Sequence, residues 1–128
     1  DEAATSAATR RVFETTGYLA DPPTAVAVAV LDRRREEAGE KRPTVITATA
    51  SPYKFPVPVA EAIGLDAGAS GAADTVEGQL ALADKIARAS KTEVPRPIAA
   101  LRGAREIHRR IVEPNEMETA LASIFGSR

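Results

Sequence analysis

Apolar positions in residues 1–16 fall near helical spacing: Ala3, Ala4, Ala7, Ala8, Val12 and Phe13. Arg10 and Arg11 sit late in that stretch, where cations favour the helix dipole, and Gly17 follows as a natural stop. The next segment opens with Asp21, a good N-cap, and Pro22, which suits a first helical position. Pro23 pushes Pro22 toward an extended backbone, so the helix starts at one or the other. Residues 25–31 alternate Ala and Val, a strand-like pattern. Their flanks decide otherwise: the Asp-Pro-Pro-Thr start, the charged run over 32–40 and Gly39 together select a helix over 22–38. Its apolar first half is then expected to be buried.

Residues 44–49, led by Val45 and Ile46, read as a strand. Ser51 caps a short helix with Pro52 in its first turn. Residues 57–63 make one or two helical turns closed by Gly64, and a loop of small residues covers 64–71. Asp74 and Glu77 have capping-box spacing. The helix they open, over 75–89, carries Val76, Leu80, Ala83, Ile86 and Ala87 on one stripe. A short helix fits 97–103. Residues 107–112 suit a strand or a helix. A last helix follows Pro114, with Met117, Leu121, Ile124 and Phe125 as its apolar face and Gly126 at its end. The expected fold class is α/β, a small helix-rich unit with a short two- to three-stranded sheet. The strand at 44–49 lies centrally, with the helices at 22–38 and 75–89 around it. A second strand near 107–111 pairs with it in parallel, because helices intervene. So small a sheet leaves open edges, which implies a part of something larger.

Composition narrows the function classes. The 128 residues suit one domain, 44% are hydrophobic, and Ala and Val dominate over five aromatics. Seventeen basic and 18 acidic residues leave a net charge of −1, which is no footprint for nucleic acid. Arg33, Arg34 and Arg35 are followed by Glu36 and Glu37, the pattern of a solvated helix face. With no cysteine there is no disulfide, thiolate nucleophile or Cys-based zinc site. No apolar run approaches the ~20 residues of a membrane span, and no signal peptide is visible. A cytoplasmic location is expected. The chain begins at Asp1 inside a helical pattern and its one Met is Met117, so a fragment or processed chain is expected.

Candidate chemistry is sparse. His108 lies among Arg105, Arg109 and Arg110, which suits a surface histidine. There is no P-loop or dinucleotide fingerprint, and no metal-ligand constellation. What remains is the end of the 44–49 strand, where Thr47, Thr49, Ser51 and Lys54 follow one another. Ligands of open α/β sheets sit outside the carboxyl ends of strands. A Thr hydroxyl there can meet a heteroaromatic nitrogen, and Lys54 a phosphate.

Two segments carry a resemblance. "TGYLADPPTAVAVAV", residues 16–30, resembles a T-G-Y-x-x-D-P-H-T-A-V-A segment of threonine synthases, and "VITATASPYKFP", residues 45–56, resembles their V-V-x-x-T-A-H-P-A-K-F-P segment. The likeness covers roughly residues 1–64, the motif-bearing part. Residues 65–128 share only a general run of helices. The resemblance implies that residues 1–128 are one carboxyl-terminal segment of a pyridoxal-phosphate enzyme with the tryptophan-synthase-β-like fold. That family converts O-phosphohomoserine and water into threonine and phosphate. It implies that Thr49 contacts the cofactor's pyridine nitrogen, with Ser51 and Lys54 near the substrate phosphate. Pro23 and Ser51 stand where the family has histidines, and Tyr53 where it has a small residue. No imine-forming lysine segment and no glycine-rich phosphate loop is recognisable, so no catalytic residue is assigned here and the segment alone is expected to be inert. Its expected partners are the rest of the synthase chain, or copies of itself. The alternative is a non-catalytic interaction or scaffold domain derived from the same fold.

Overall fold

Asp1 and Gly17 bracket the first helix, α1 (Glu2–Thr16), in the computed structural model, which describes residues 1–68, 75–105, 107 and 110–126. The Asp1 carboxylate accepts from the Ala4 amide at 2.8 Å. Gly17, at φ 74°, donates its amide to the Phe13 carbonyl. That left-handed turn is one only glycine adopts without strain. The second helix, α2 (Pro22–Ala38), starts at Pro22 despite the proline that follows. The alternating Ala/Val stretch is helical, as its flanks require. Small side chains let α1 and α2 approach closely: Ala8, Ala20 and Ala25 are buried together, with Val12, Val28 and Ala29 packed on them. Arg11 and Asp32 form an ion pair between the two helices. The first half of α2 is covered on one side only. Thr24 and Ala25 are buried, whereas Val26 and Val30 are exposed.

The main core lies between α3 (Pro56–Ala62) and α4 (Val76–Ser90). Val59 and Ala60 of α3 meet Leu82, Ala83 and Ile86 of α4, with Leu19, Tyr53 and Ala67 closing the cluster. Because α3 touches both α1 and α4, it joins the two packed layers. The short α5 (Arg96–Ala99) adds Ile98 to the edge of this core. Thr75 caps α4, accepting from the Gly78 amide at 3.0 Å. Asp74 of the expected capping box lies outside the described residues, as do His108 and residues 69–71 of the expected loop.

The expected sheet is not there. Among the described residues no strand forms, and the fold is a small helical domain rather than α/β. Residues 44–49 are neither helix nor strand, and Val45 is 92% exposed. The second strand fares no better. Residues 107 and 110–112 carry no regular structure, while 106, 108 and 109 lie outside the described residues. The cause is physical: β-branched residues favour a strand, but a strand needs a neighbour to take its N–H and C=O groups. No described backbone does so. The centre that the sheet was to occupy is filled instead by α3 against α4. The last helix, α6 (Met117–Phe125), follows a 3-10 turn at Pro114–Glu116. Its expected apolar face is present but uncovered: Met117, Leu121, Ile124 and Phe125 are all exposed, and only Ala120 is buried. No helix among the described residues is long and apolar enough to cross a membrane.

Candidate functional site

The segment that drew attention in the sequence leaves α2 through a fixed corner. Arg42 grips the Glu40 carboxylate with two guanidinium nitrogens, at 2.9 and 2.6 Å, and with its backbone amide at 2.9 Å. The side-chain pair and the amide together hold the Glu40 carboxyl below the usual carboxylate range, helped by the Arg35 charge. The Thr44 hydroxyl then donates to the Arg42 carbonyl at 3.1 Å.

After this corner the chain runs open until Ser51. There its backbone is extended (φ −119°, ψ 137°) and its hydroxyl accepts from the Tyr53 amide at 3.4 Å. Pro52 supplies the first position of a 3-10 turn, Pro52–Lys54, which closes with the Lys54 amide on the Ser51 carbonyl at 3.0 Å. Ser51 is thus a cap, the role its position before a proline suggests. The turn is pinned from below by Tyr53, which is 6% exposed in the core. The Tyr53 hydroxyl is hydrogen-bonded to Oγ1 of Thr92. Thr92 pairs with the Ser90 hydroxyl at 2.8 Å, and Ser90 donates to the Ile86 carbonyl at 2.8 Å.

The three residues singled out by the sequence do not share a cleft. Ser51 and Lys54 belong to one turn. Thr49 is exposed on the open stretch before it and lines neither of the two best-formed cavities among the described residues. Lys54 is exposed at a small cavity of about 270 Å³ whose walls include Tyr53, Pro56, Leu80, Ala83 and Ile98. That arrangement offers one cation beside an apolar recess. The larger hollow, about 920 Å³, lies between α1, α2 and α3, with Glu2, Arg33 and Glu61 among its polar walls. None of the predicted site residues reaches it.

Sequence reasoning missed the Tyr53–Thr92–Ser90 chain, which has no local signature because its members come from two distant segments. It found Asp21 but not the degree of its burial. Asp21 is 1% exposed, and its carboxylate accepts from the Thr24 amide at 3.1 Å and the Thr24 hydroxyl at 2.7 Å. Asp21 of the first motif is therefore a buried cap that orients α2. Among the described residues no group of three metal-binding side chains converges.

A family model described as "Threonine synthase, C-terminal" matches residues 24–120, which is more than half of the chain. The match begins at the buried Thr24 and runs past the Ser-Pro turn into α6. It thus takes in the helical second half that the two motifs leave out. A search of the curated proteins found no match.

Proposed function

The chain belongs to the threonine synthase C-terminal family, and from that premise we propose that it is the carboxyl-terminal part of a pyridoxal-phosphate-dependent threonine synthase. The reaction is that of a lyase acting on a phosphate ester: O-phosphohomoserine and water become threonine and phosphate. The single observation that carries the reading is the family match over residues 24–120. It is supported by Thr49 and Lys54 of the "VITATASPYKFP" segment being exposed, while Tyr53 anchors the segment in the core.

These residues do not fit the cofactor by themselves. Thr49 is exposed, and neither of the two best-formed cavities includes it. In this proposal the pocket is completed by other polypeptide of the synthase. Thr49 then presents a neutral hydroxyl to the pyridine nitrogen, while Ser51 and Lys54 stay close together on their capped turn near the substrate phosphate. The segment alone turns over nothing.

Absorbance and phosphate release test this. With pyridoxal phosphate and O-phosphohomoserine, the chain alone should give neither an imine band nor free phosphate, and the protein from the complete gene should give both. The reading is overturned if the isolated chain does both, or if the complete protein does neither. A second reading is a non-catalytic interaction domain of synthase descent. The uncovered apolar face of α6 favours it. A complete protein that binds no pyridoxal phosphate would select it.

A further inference from the structure

We propose that Tyr53, through its hydrogen bond to Thr92, is a positioning residue for Lys54 and thereby sets how tightly the substrate phosphate is held. The inference rests on the reading under which Lys54 meets that phosphate. It adds to that reading a residue whose own atoms touch no substrate.

The hydrogen-bond series behind Tyr53 has a fixed direction. The Ser90 hydroxyl donates to the Ile86 carbonyl at 2.8 Å, which uses its only proton. Ser90 Oγ therefore accepts from the Thr92 hydroxyl at 2.8 Å. With the Thr92 proton spent, Oγ1 of Thr92 accepts from the Tyr53 hydroxyl. Every hydroxyl proton in the series has one place to go, and the last acceptor is the backbone of α4.

Thr92 is brought against Tyr53 by the way α4 ends. Lys91 has φ 54° and ψ 36°, a left-handed backbone that a side chain beyond glycine rarely adopts. That turn lets the Thr92 amide donate to the Ala87 carbonyl at 3.0 Å and the Lys91 amide to the Arg88 carbonyl at 3.4 Å, a Schellman closure in which glycine is usual. Backbone strain of this kind persists where the surroundings over-determine it. The bonds of Thr92 to Tyr53 and Ser90 supply that constraint.

On its other side Tyr53 is joined to Lys54 by one planar peptide, which holds their Cα atoms about 3.8 Å apart. The turn around them is stiff. Pro52 and Pro56 each fix a backbone angle, the Lys54 amide donates to the Ser51 carbonyl at 3.0 Å, and the Phe55 amide donates to the Pro52 carbonyl at 3.0 Å. A stiff turn moves as a body, so the point at which Tyr53 is held decides where Lys54 starts. Among the described residues no carboxylate pairs with Lys54. Its ammonium is directed by that backbone and by the apolar recess it lines. A cation set in the wrong place binds its anion less well.

Steady-state kinetics of the complete synthase with O-phosphohomoserine test this. Tyr53→Phe should raise KM about fivefold, the order of one hydrogen bond, and leave kcat within about twofold. Thr92→Val should do the same, and the double variant should be no worse than either alone. Thr92→Ser keeps the hydroxyl and should keep the KM. Lys54→Met should raise KM further than Tyr53→Phe does, and in its presence Tyr53→Phe should have no effect. Asp21→Asn weakens the fold elsewhere and should leave KM unchanged, because general loosening lowers only the active fraction and so kcat. An unchanged KM in Tyr53→Phe beside a raised one in Lys54→Met overturns the inference and leaves the reading of Lys54 standing. An equal rise in Asp21→Asn also overturns it, since the effect is then one of stability. An unchanged KM in Lys54→Met removes Lys54 and Tyr53 together. A complete protein that turns over no O-phosphohomoserine overturns the synthase reading itself, and this inference with it.

Discussion

The Tyr53 hydroxyl and Oγ1 of Thr92 share a hydrogen bond across 39 residues of chain, joining the Ser-Pro turn to the far end of α4. Tyr53 is the residue that stands where the synthase motif has a small one. Its ring fills the core, and its hydroxyl reaches the half-exposed Thr92–Ser90 pair at the edge. The turn bearing Ser51 and Lys54 is therefore held from inside the domain as well as by its own short backbone.

Tyr53→Phe should cost about 1 kcal/mol of stability, the net worth of one intramolecular hydrogen bond, because Thr92 keeps Ser90 as a partner. Tyr53→Ala should cost about 3 kcal/mol or more, since it empties a buried aromatic site. Urea unfolding followed by circular dichroism measures both. Equal losses for the two variants would show that the ring contributes nothing beyond its hydroxyl.

Asp21→Ala should lower stability by about 2 kcal/mol, the upper end of an N-cap loss, because its carboxylate accepts two bonds from a buried Thr24. Asp21→Asn keeps an acceptor oxygen and should lose less. Thermal unfolding of the two variants separates them. A silent Asp21→Ala would mean that α2 is held by its packing on α1 alone.

The Asp21 cap and the Gly17 stop were legible because each acts on its immediate neighbours. Local chemistry also identified α2 against its strand-like Ala/Val alternation, since the capping signals lay at its ends. The strand at 44–49 could not be judged the same way. The expected strand does not form, because β propensity is only a tendency and pairing depends on backbone elsewhere, which no local pattern reports. The burial of Tyr53 and its link to Thr92 are likewise tertiary facts. At α6 the apolar face was found, but periodicity says that a face exists, not that anything covers it. Of the candidate site, the Ser51 cap could be read from its Pro neighbour. The exposure of Thr49 could not.

Glu40 should titrate below the ordinary carboxylate range, because the Arg42 side chain and then its amide stabilise the charged form. A depressed folded-state value means that the pair contributes stability above the unfolded carboxylate range. That contribution is lost as pH falls through the folded value. Carbon-detected NMR of the Glu40 carboxyl, against Arg42→Gln, checks this. The substitution should move the titration upward, and loosen the corner that leads to residue 44. An unchanged midpoint would remove Arg42 as its cause.

Thr49→Val separates a role in folding from a role in chemistry. In this chain the Thr49 side chain is exposed and makes no hydrogen bond among the described residues, so the substitution should leave stability within about 0.5 kcal/mol. In the complete synthase, on the proposed reading, the same change removes a hydroxyl while nearly keeping the side-chain volume. Turnover should then fall roughly tenfold, the equivalent of one lost hydrogen bond of about 1.4 kcal/mol in the transition state. The cofactor absorbance should shift with it, because the ring nitrogen loses its partner. Thr49→Ser keeps the hydroxyl and should restore most of the rate. If turnover and spectrum are both untouched by Thr49→Val, position 49 lies outside the site.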